Sequence, residues 1–306
     1  MDSRYEADAV ALQTAMTGWG ADDAAIMTIT SKRKNYERQH IRAAYKTSFG
    51  RDLIEDLEEK LGGNFKLTVV SCFMTPVEYD VNELYLAFKG WGTNKDAVSE
   101  IIGSRNNRRL QEIKDLYKEK HGESLEHKVK DKLSGDYERL LISLLQCNRD
   151  ETNSVNHSEV AQDVKALYSA GEGRWGTDEA TFNRIFATRS PAHLACINQH
   201  YNKVHGKNLM QVVESEFSGD EKVLLKTILH AHIDPVDYFA ERIYLACKGL
   251  GTNDKVLVRS IITTDESLLK DIKKLYVDKY KISLEDQIID ETSGDYKQML
   301  LDLVAN

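Results

Sequence analysis

Four copies of one glycine-rich motif carry the residues best suited to chemistry in this 306-residue chain. They read Gly18-Trp19-Gly20-Ala21-Asp22, Gly90-Trp91-Gly92-Thr93-Asn94, Arg174-Trp175-Gly176-Thr177-Asp178 and Gly249-Leu250-Gly251-Thr252-Asn253. Glycine leaves the backbone unobstructed, so several carbonyl oxygens can turn toward one point. From position 174 to 216, and again from 249 to 291, the same spacing leads to Glu216 and Glu291. Each stands three residues before the glycine of a Ser-Gly-Asp turn, Ser218-Gly219-Asp220 and Ser293-Gly294-Asp295; a third such turn is Ser134-Gly135-Asp136. Carbonyl oxygens plus a bidentate carboxylate make a hard-cation site, suited to Ca2+ with its roughly seven oxygen ligands. Three carbonyls and one such carboxylate supply about five, which leaves positions for water or a phosphate oxygen.

The same motif holds every tryptophan of the chain, Trp19, Trp91 and Trp175. Leu250 takes their place in the fourth copy. Burial is the usual fate of an isolated loop tryptophan. Repetition at four loop tips instead predicts exposed apolar residues offered to an amphipathic interface.

Other patterns carry less. Gly171-x-Gly173-x-x-Gly176 matches a dinucleotide fingerprint, but neither a strand nor a βαβ unit surrounds it. The histidines form no paired metal spacing, and neither an EF-hand loop nor a catalytic triad spacing occurs. The basic runs Lys32-Arg33-Lys34 and Arg108-Arg109 read as solvated helix ends, with a phosphate contact as the minority reading. No enzyme activity is expected.

The elements that position the loops come from a long internal repeat. Ile41, Ile113, Ile197 and Ile272 each precede by four residues a tyrosine: Tyr45, Tyr117, Tyr201 and Tyr276. Leu53, Leu125, Leu209 and Leu284 recur at the same three offsets, as do Gly63, Gly135, Gly219 and Gly294. Three independent landmarks in one register define four homologous units of about 72 residues. We place them at 1–75, 76–147, 159–232 and 233–306, with the polar stretch 148–158 as a linker between two halves. Tyr137, Leu140, Leu141, Leu144 and Leu145 form a helical stripe. Tyr296, Met299, Leu300, Leu303 and Val304 repeat it, and Phe65, Thr68, Val69, Cys72 and Phe73 occupy the same register. The fold class is all-α, with about five helices per repeat.

Composition fits a soluble globular protein, with 41% apolar and 29% charged residues. No apolar run approaches the length of a membrane-spanning helix. The N-terminus shows neither signal peptide nor myristoylation signal. The four cysteines read as reduced core residues in helical stretches of a cytosolic protein. The formal net charge of −8 argues against nucleic acid and against unaided attraction to an anionic membrane.

Repeats of this length with Gly-X-Gly-Thr loops, Ser-Gly-Asp turns and a spaced acid resemble the annexins, over essentially the whole chain. The resemblance implies a slightly curved all-helical disc whose convex face binds Ca2+ and, through it, anionic phospholipid membranes. Carried over by position, the third site takes carbonyls of Gly171, Arg174 and Gly176 with Glu216, and the fourth takes Cys247, Gly249 and Gly251 with Glu291. Thr177 and Glu179 are placed at a minor site. Trp19, Trp91, Trp175 and Leu250 are expected to meet the membrane. In the first two repeats the acid's position holds Lys60 and Lys132. The sets Met16, Gly18, Gly20 and Phe88, Gly90, Gly92 are therefore expected to be weak or lost. Glu59 and Asp131 stand next door, but one helical step turns a side chain by about 100°. In the fourth repeat Asp265 is read as replacing the arginine found as Arg33, Arg105 and Arg189. The short N-terminal arm implies no tail-dependent protein partner, although oligomers on membranes fit the family. The expected location is the cytoplasm, peripheral on membranes when calcium rises. The competing class is a helical or cytoskeleton-associated scaffold with vestigial calcium loops.

Overall fold

The computed structural model describes residues 3–90, 92–249 and 251–305. Among these it contains twenty α-helices and no strand. The first repeat forms α1 (Ser3–Ala15), α2 (Asp23–Lys32), α3 (Asn35–Phe49), α4 (Leu53–Lys60) and α5 (Gly63–Phe73). The second forms α6 (Pro76–Phe88), α7 (Lys95–Ser104), α8 (Asn107–His121), α9 (Leu125–Lys132) and α10 (Gly135–Leu144). The third forms α11 (His157–Ala170), α12 (Glu179–Thr188), α13 (Pro191–His205), α14 (Leu209–Glu216) and α15 (Gly219–Ile233). The fourth forms α16 (Pro235–Cys247), α17 (Asp254–Ile262), α18 (Glu266–Tyr280), α19 (Leu284–Glu291) and α20 (Gly294–Ala305).

Each landmark of the repeat has a structural cause. Ile41, Ile113, Ile197 and Ile272 and their tyrosines are completely buried one turn apart on α3, α8, α13 and α18. Leu53, Leu125, Leu209 and Leu284 open the four eight-residue helices and are buried as well. Burying one such side chain contributes about 1.5–3 kcal/mol, so the register of each repeat is strongly fixed. Gly63, Gly135, Gly219 and Gly294 begin the fifth helix at φ 58–73°, a left-handed turn that a side chain would strain.

The chain packs as two compact units. Unit 1 joins the residues up to Tyr79 with those from Phe239, and unit 2 runs from Asp80 to Tyr238. Repeat 1 therefore packs with repeat 4, and repeat 2 with repeat 3. In unit 2, α7 lies against α15 because Gly103 has no side chain. A Cβ there would stand 3.0 Å from Leu224 Cδ1 and 3.1 Å from Thr227 Cγ2. The polar stretch 148–158 runs inside unit 2. Arg149 is buried and donates to the Arg189 carbonyl, and the Asp150 N–H donates to the Thr188 carbonyl.

Two readings of single residues change. Asp265 does not take the place of Arg33, Arg105 and Arg189. It caps α18, accepting the Leu268 N–H at 2.8 Å, as Asn106 and Ser190 cap their helices. The arginine's position, one residue before that cap, belongs to Thr264. The three arginines each clamp an aspartate of the preceding repeat helix: Asp8, Asp80 and Asp163. Position by position, the fourth repeat has Phe239 for the aspartate, so both halves of the ion pair are replaced together. Cys147 is not helical. It follows α10 at φ 53° and is half-buried, as is Cys196, while Cys72 and Cys247 are buried; all four are free thiols.

The ends of α3, α8 and α13 are closed by left-handed Gly50, Gly122 and Gly206, but α18 ends on Lys281 at φ 63°. A left-handed non-glycine residue stores roughly 1 kcal/mol of strain. Lys281→Gly is expected to raise stability by about 0.5–1 kcal/mol and the melting temperature by about 1–3 °C. Lys281→Ala, which keeps the Cβ, should not; equal melting of the Gly and Ala variants in a thermal scan would refute the strain.

Candidate calcium loops

The four loops connect the first and second helices of each repeat. Each is pinched shut by one backbone hydrogen bond. The N–H of Asp22, Asn94, Asp178 and Asn253 donates to the carbonyl of Ala15, Ala87, Ala170 and Ala246 at 2.7–2.9 Å. The same four side chains cap the following helix, accepting N–H groups of Ala25, Ala97, Thr181 and Val256. The terminal Asp or Asn of the motif thus folds the loop.

Between pinch and tip the glycines run at positive φ, among them Gly18 at 105°, Gly176 at 76° and Gly249 at 120°. A Cβ on any of these three meets nothing within 4 Å, so the requirement is conformational. The result is a set of loop carbonyls left out of the helical hydrogen-bond ladders. Among the described residues nothing donates to the carbonyls of Met16, Gly18 and Gly20, or of Phe88, Gly90 and Gly92. The same holds for Arg174 and Gly176, and for Cys247, Gly249 and Gly251. Oxygen acceptors without internal donors, gathered in one loop, are a donor set that fits a hard cation.

Gly171 differs. The third loop is one residue longer, and its extra turn brings the Arg174 N–H to the Gly171 carbonyl at 3.0 Å. A Cβ on Gly173 would stand 2.9 Å from the Tyr168 carbonyl oxygen, so glycine is obligatory there. The apparent dinucleotide fingerprint is therefore a tight connection between α11 and α12. Glu172, in the extra turn, pairs with Lys207 and accepts from the Tyr201 O–H. Burial raises its carboxyl, but those two bonds outweigh burial and hold it below the usual range.

The acid position is the last residue of the eight-residue helix in every repeat: Lys60, Lys132, Glu216 and Glu291. Thr177 Oγ1 donates to Glu216 O and Oε2, both at 3.4 Å, and Thr252 Oγ1 donates to Glu291 O at 3.1 Å and Oε2 at 3.2 Å. The Glu216 side chain also packs on the third loop, since a Cβ on Gly171 would lie 3.3 Å from Glu216 Cγ. Beside the fourth loop, burial and then the Glu291 and Asp254 carboxylates push the Cys247 thiol up to about 12. The threonine of Gly-X-Gly-Thr thus tethers the carboxylate to its loop. In repeat 1 the threonine is Ala21, and Lys60 is exposed. In repeat 2 Lys132 is exposed and leans on Asp131 at 3.4 Å. Glu59 pairs with Arg51, so neither neighbouring acid turns into a loop.

A carboxylate at a helix C-terminus opposes the helix dipole, whereas a lysine there complements it, each effect being about 0.3–1 kcal/mol. Lys60 and Lys132 thus suit the bare fold, and Glu216 and Glu291 oppose it.

Trp19 and Trp175 are fully exposed, as loop-tip presentation requires. Trp91 and Leu250 lie outside the described residues. Glu179 faces a feature the sequence did not disclose. In unit 2, Lys95 Nζ meets Asp220 at 2.6 Å, and the equivalent position in repeat 3 is Glu179. There Glu221 replaces the aromatic found as Phe65, Tyr137 and Tyr296. Burial, then Asp136 and Glu179, push the Glu221 carboxyl up to about 7.

The family model described as Annexin matches four segments, 7–72, 79–144, 162–228 and 238–303. Human Annexin A7 is 42% identical over 298 residues, which is 97% of this chain and 61% of that protein's length. The solved structure of Annexin III superposes with a TM-score of 0.94 at 33% identity, covering 99% of this chain and 94% of that one. A calcium-bound annexin (Sm)1 superposes with a TM-score of 0.86 at 33% identity, covering 99% and 90%.

Proposed function

The chain belongs to the annexin family, and from that premise we propose that it binds anionic phospholipid membranes in a calcium-dependent way, mainly through repeats 3 and 4. One observation carries the emphasis. Glu216 and Glu291 are bonded to the threonines of their own loops, while the lysines in repeats 1 and 2 are exposed. The third site comprises Arg174 and Gly176 carbonyls with Glu216, and Gly171 completes it only by sharing its oxygen with the Arg174 N–H. The fourth comprises Cys247, Gly249 and Gly251 carbonyls with Glu291. Bound Ca2+ supplies positive charge and coordination positions for a lipid phosphate oxygen. The protein's own part is to hold acceptors open and to set Trp175 at the interface, while its net charge of −8 opposes an anionic surface until calcium is bound.

A calcium-bound annexin among the structural relatives supports the cofactor. Among the described residues no helix is long and apolar enough to cross a membrane, consistent with peripheral attachment. We assign no catalytic activity, and a cytoplasmic location with recruitment as calcium rises.

Co-sedimentation with phosphatidylserine vesicles tests the reading. Binding is expected with Ca2+, with release by chelator and little binding to phosphatidylcholine. Trp175 emission should shift to the blue on the vesicles and lose that component in Trp175→Ala. Failure to sediment with calcium would instead favour a scaffold with vestigial loops. Equal sedimentation in chelator would remove calcium from the mechanism.

A further inference from the structure

Unit 1 contains a cavity of about 760 Å³ that shares no residue with the calcium loops. It opens where α2 meets α3 and α17 meets α18. Its volume lies within the ~300–1,000 Å³ range of small-molecule sites. Arg38 lines it. At the same position the other repeats carry Leu110, Leu194 and Leu269, all buried core residues. Repeat 1 thus places a guanidinium where the fold asks only for a leucine.

That guanidinium has no acidic partner among the described residues. Nη1 donates to the Thr30 carbonyl at 3.2 Å, the Cys72 thiol lies beside it, and Nε is buried without a partner. Its neighbours in unit 1 behave differently, since Arg33 pairs with Asp8 and Arg42 with Glu78. The remaining charges of the lining are largely settled. Lys34 pairs with Glu266, and Asp265 accepts the Leu268 N–H. Lys32 makes no ion pair among the described residues, so Arg38 and Lys32 outnumber Asp265, the one carboxylate of the lining without a cationic partner. Cys72, Met74 and Leu269 give the cavity an apolar side.

We propose that this cavity binds a small phosphomonoester, with Arg38 holding the phosphate, Lys32 balancing its second charge and the apolar side receiving the organic body. A phosphomonoester carries about −1.5 to −2 at neutral pH, which matches two cations better than a carboxylate does. The planar guanidinium fork matches its oxygens. The cavity needs neither calcium nor a membrane to take this ligand.

The test is run in chelator, so that the loops stay out of it. Inorganic phosphate, adenosine 5′-monophosphate and dihexanoyl phosphatidic acid are titrated into the full chain by calorimetry, with adenosine as the uncharged control. One-to-one binding of an organic phosphomonoester, tighter than inorganic phosphate, is expected. Loss of a charged partner should weaken it at least about tenfold in Arg38→Leu, the residue of the other repeats, and in Arg38→Gln. Preference for the nucleotide assigns a free metabolite, and preference for the short-chain lipid assigns a headgroup. Binding of inorganic phosphate alone, affinity that survives both substitutions in folded protein, or no heat up to about 10 mM would overturn the site.

Discussion

In the double variant Glu216→Gln/Glu291→Gln, calcium no longer brings the protein down with phosphatidylserine vesicles at concentrations that saturate the parent chain. Each single change raises the calcium requirement at least about tenfold, the lower bound of what even an outer-shell partner of a metal commands. Glutamine preserves shape and keeps an oxygen for Thr177 or Thr252, so the tether between helix end and loop survives. It removes the charge and the bidentate grip that a hard cation needs. The helix dipole supplies an independent readout. Removing a negative charge from the C-termini of α14 and α19 should leave the calcium-free protein as stable as before, or more stable by a few tenths of a kcal/mol. Weaker calcium binding without a lower melting temperature separates a ligand from a packing residue. Glu214→Gln is the control. Its carboxylate is fully engaged by Lys222 at 3.0 Å and Lys226 at 2.9 Å, which also hold it below its usual range. A double variant that sediments at the parent's calcium concentration would place the ligands elsewhere.

How much of this was legible in the sequence follows from which features are local. Loop glycines, Ser-Gly-Asp turns and the spaced glutamates all lie within one repeat, so one register aligns them. The buried Ile-Tyr pairs are legible for the same reason. What escaped depends on single insertions and on partners far away in sequence. The extra residue of the third loop shifts Gly171 into a turn whose hydrogen bond no spacing announces. A slip of one residue at the start of α18 misplaced Asp265, because Thr264 leaves no charge to mark the position. The pairing of repeat 1 with repeat 4 cannot be read from a chain whose polar stretch suggests sequential halves. Glu221 and Arg38 look like ordinary surface charges until the aromatic and leucine positions of the other repeats are set beside them. In both cases the informative signal was the exception within an internal alignment.

The lysines offer the converse experiment, and the structure divides the two repeats that carry them. Lys132→Glu is expected to add one bound calcium ion per chain in titration calorimetry. The second loop already has its open carbonyls at Phe88, Gly90 and Gly92, and Thr93 stands where Thr177 and Thr252 tether their glutamates. The new carboxylate would end α9 as Glu216 ends α14, beside Asp131, which adds negative charge. Without calcium the change costs about 0.3–1 kcal/mol, because an acid replaces a cation at a helix C-terminus. The melting temperature should therefore fall slightly in chelator and rise above the parent's in calcium, since a ligand that binds only the folded state stabilises it. Lys60→Glu alone is expected to gain little, because Ala21 offers no hydroxyl to draw the side chain onto the first loop. Adding Ala21→Thr to Lys60→Glu should restore the gain. If Lys132→Glu leaves the stoichiometry unchanged, open carbonyls and a tethered acid are not sufficient, and the loops of repeats 3 and 4 must owe their calcium to some further difference in shape. If Lys60→Glu alone gains as much as the pair, the threonine tether is dispensable and the carboxylate finds the loop by charge alone.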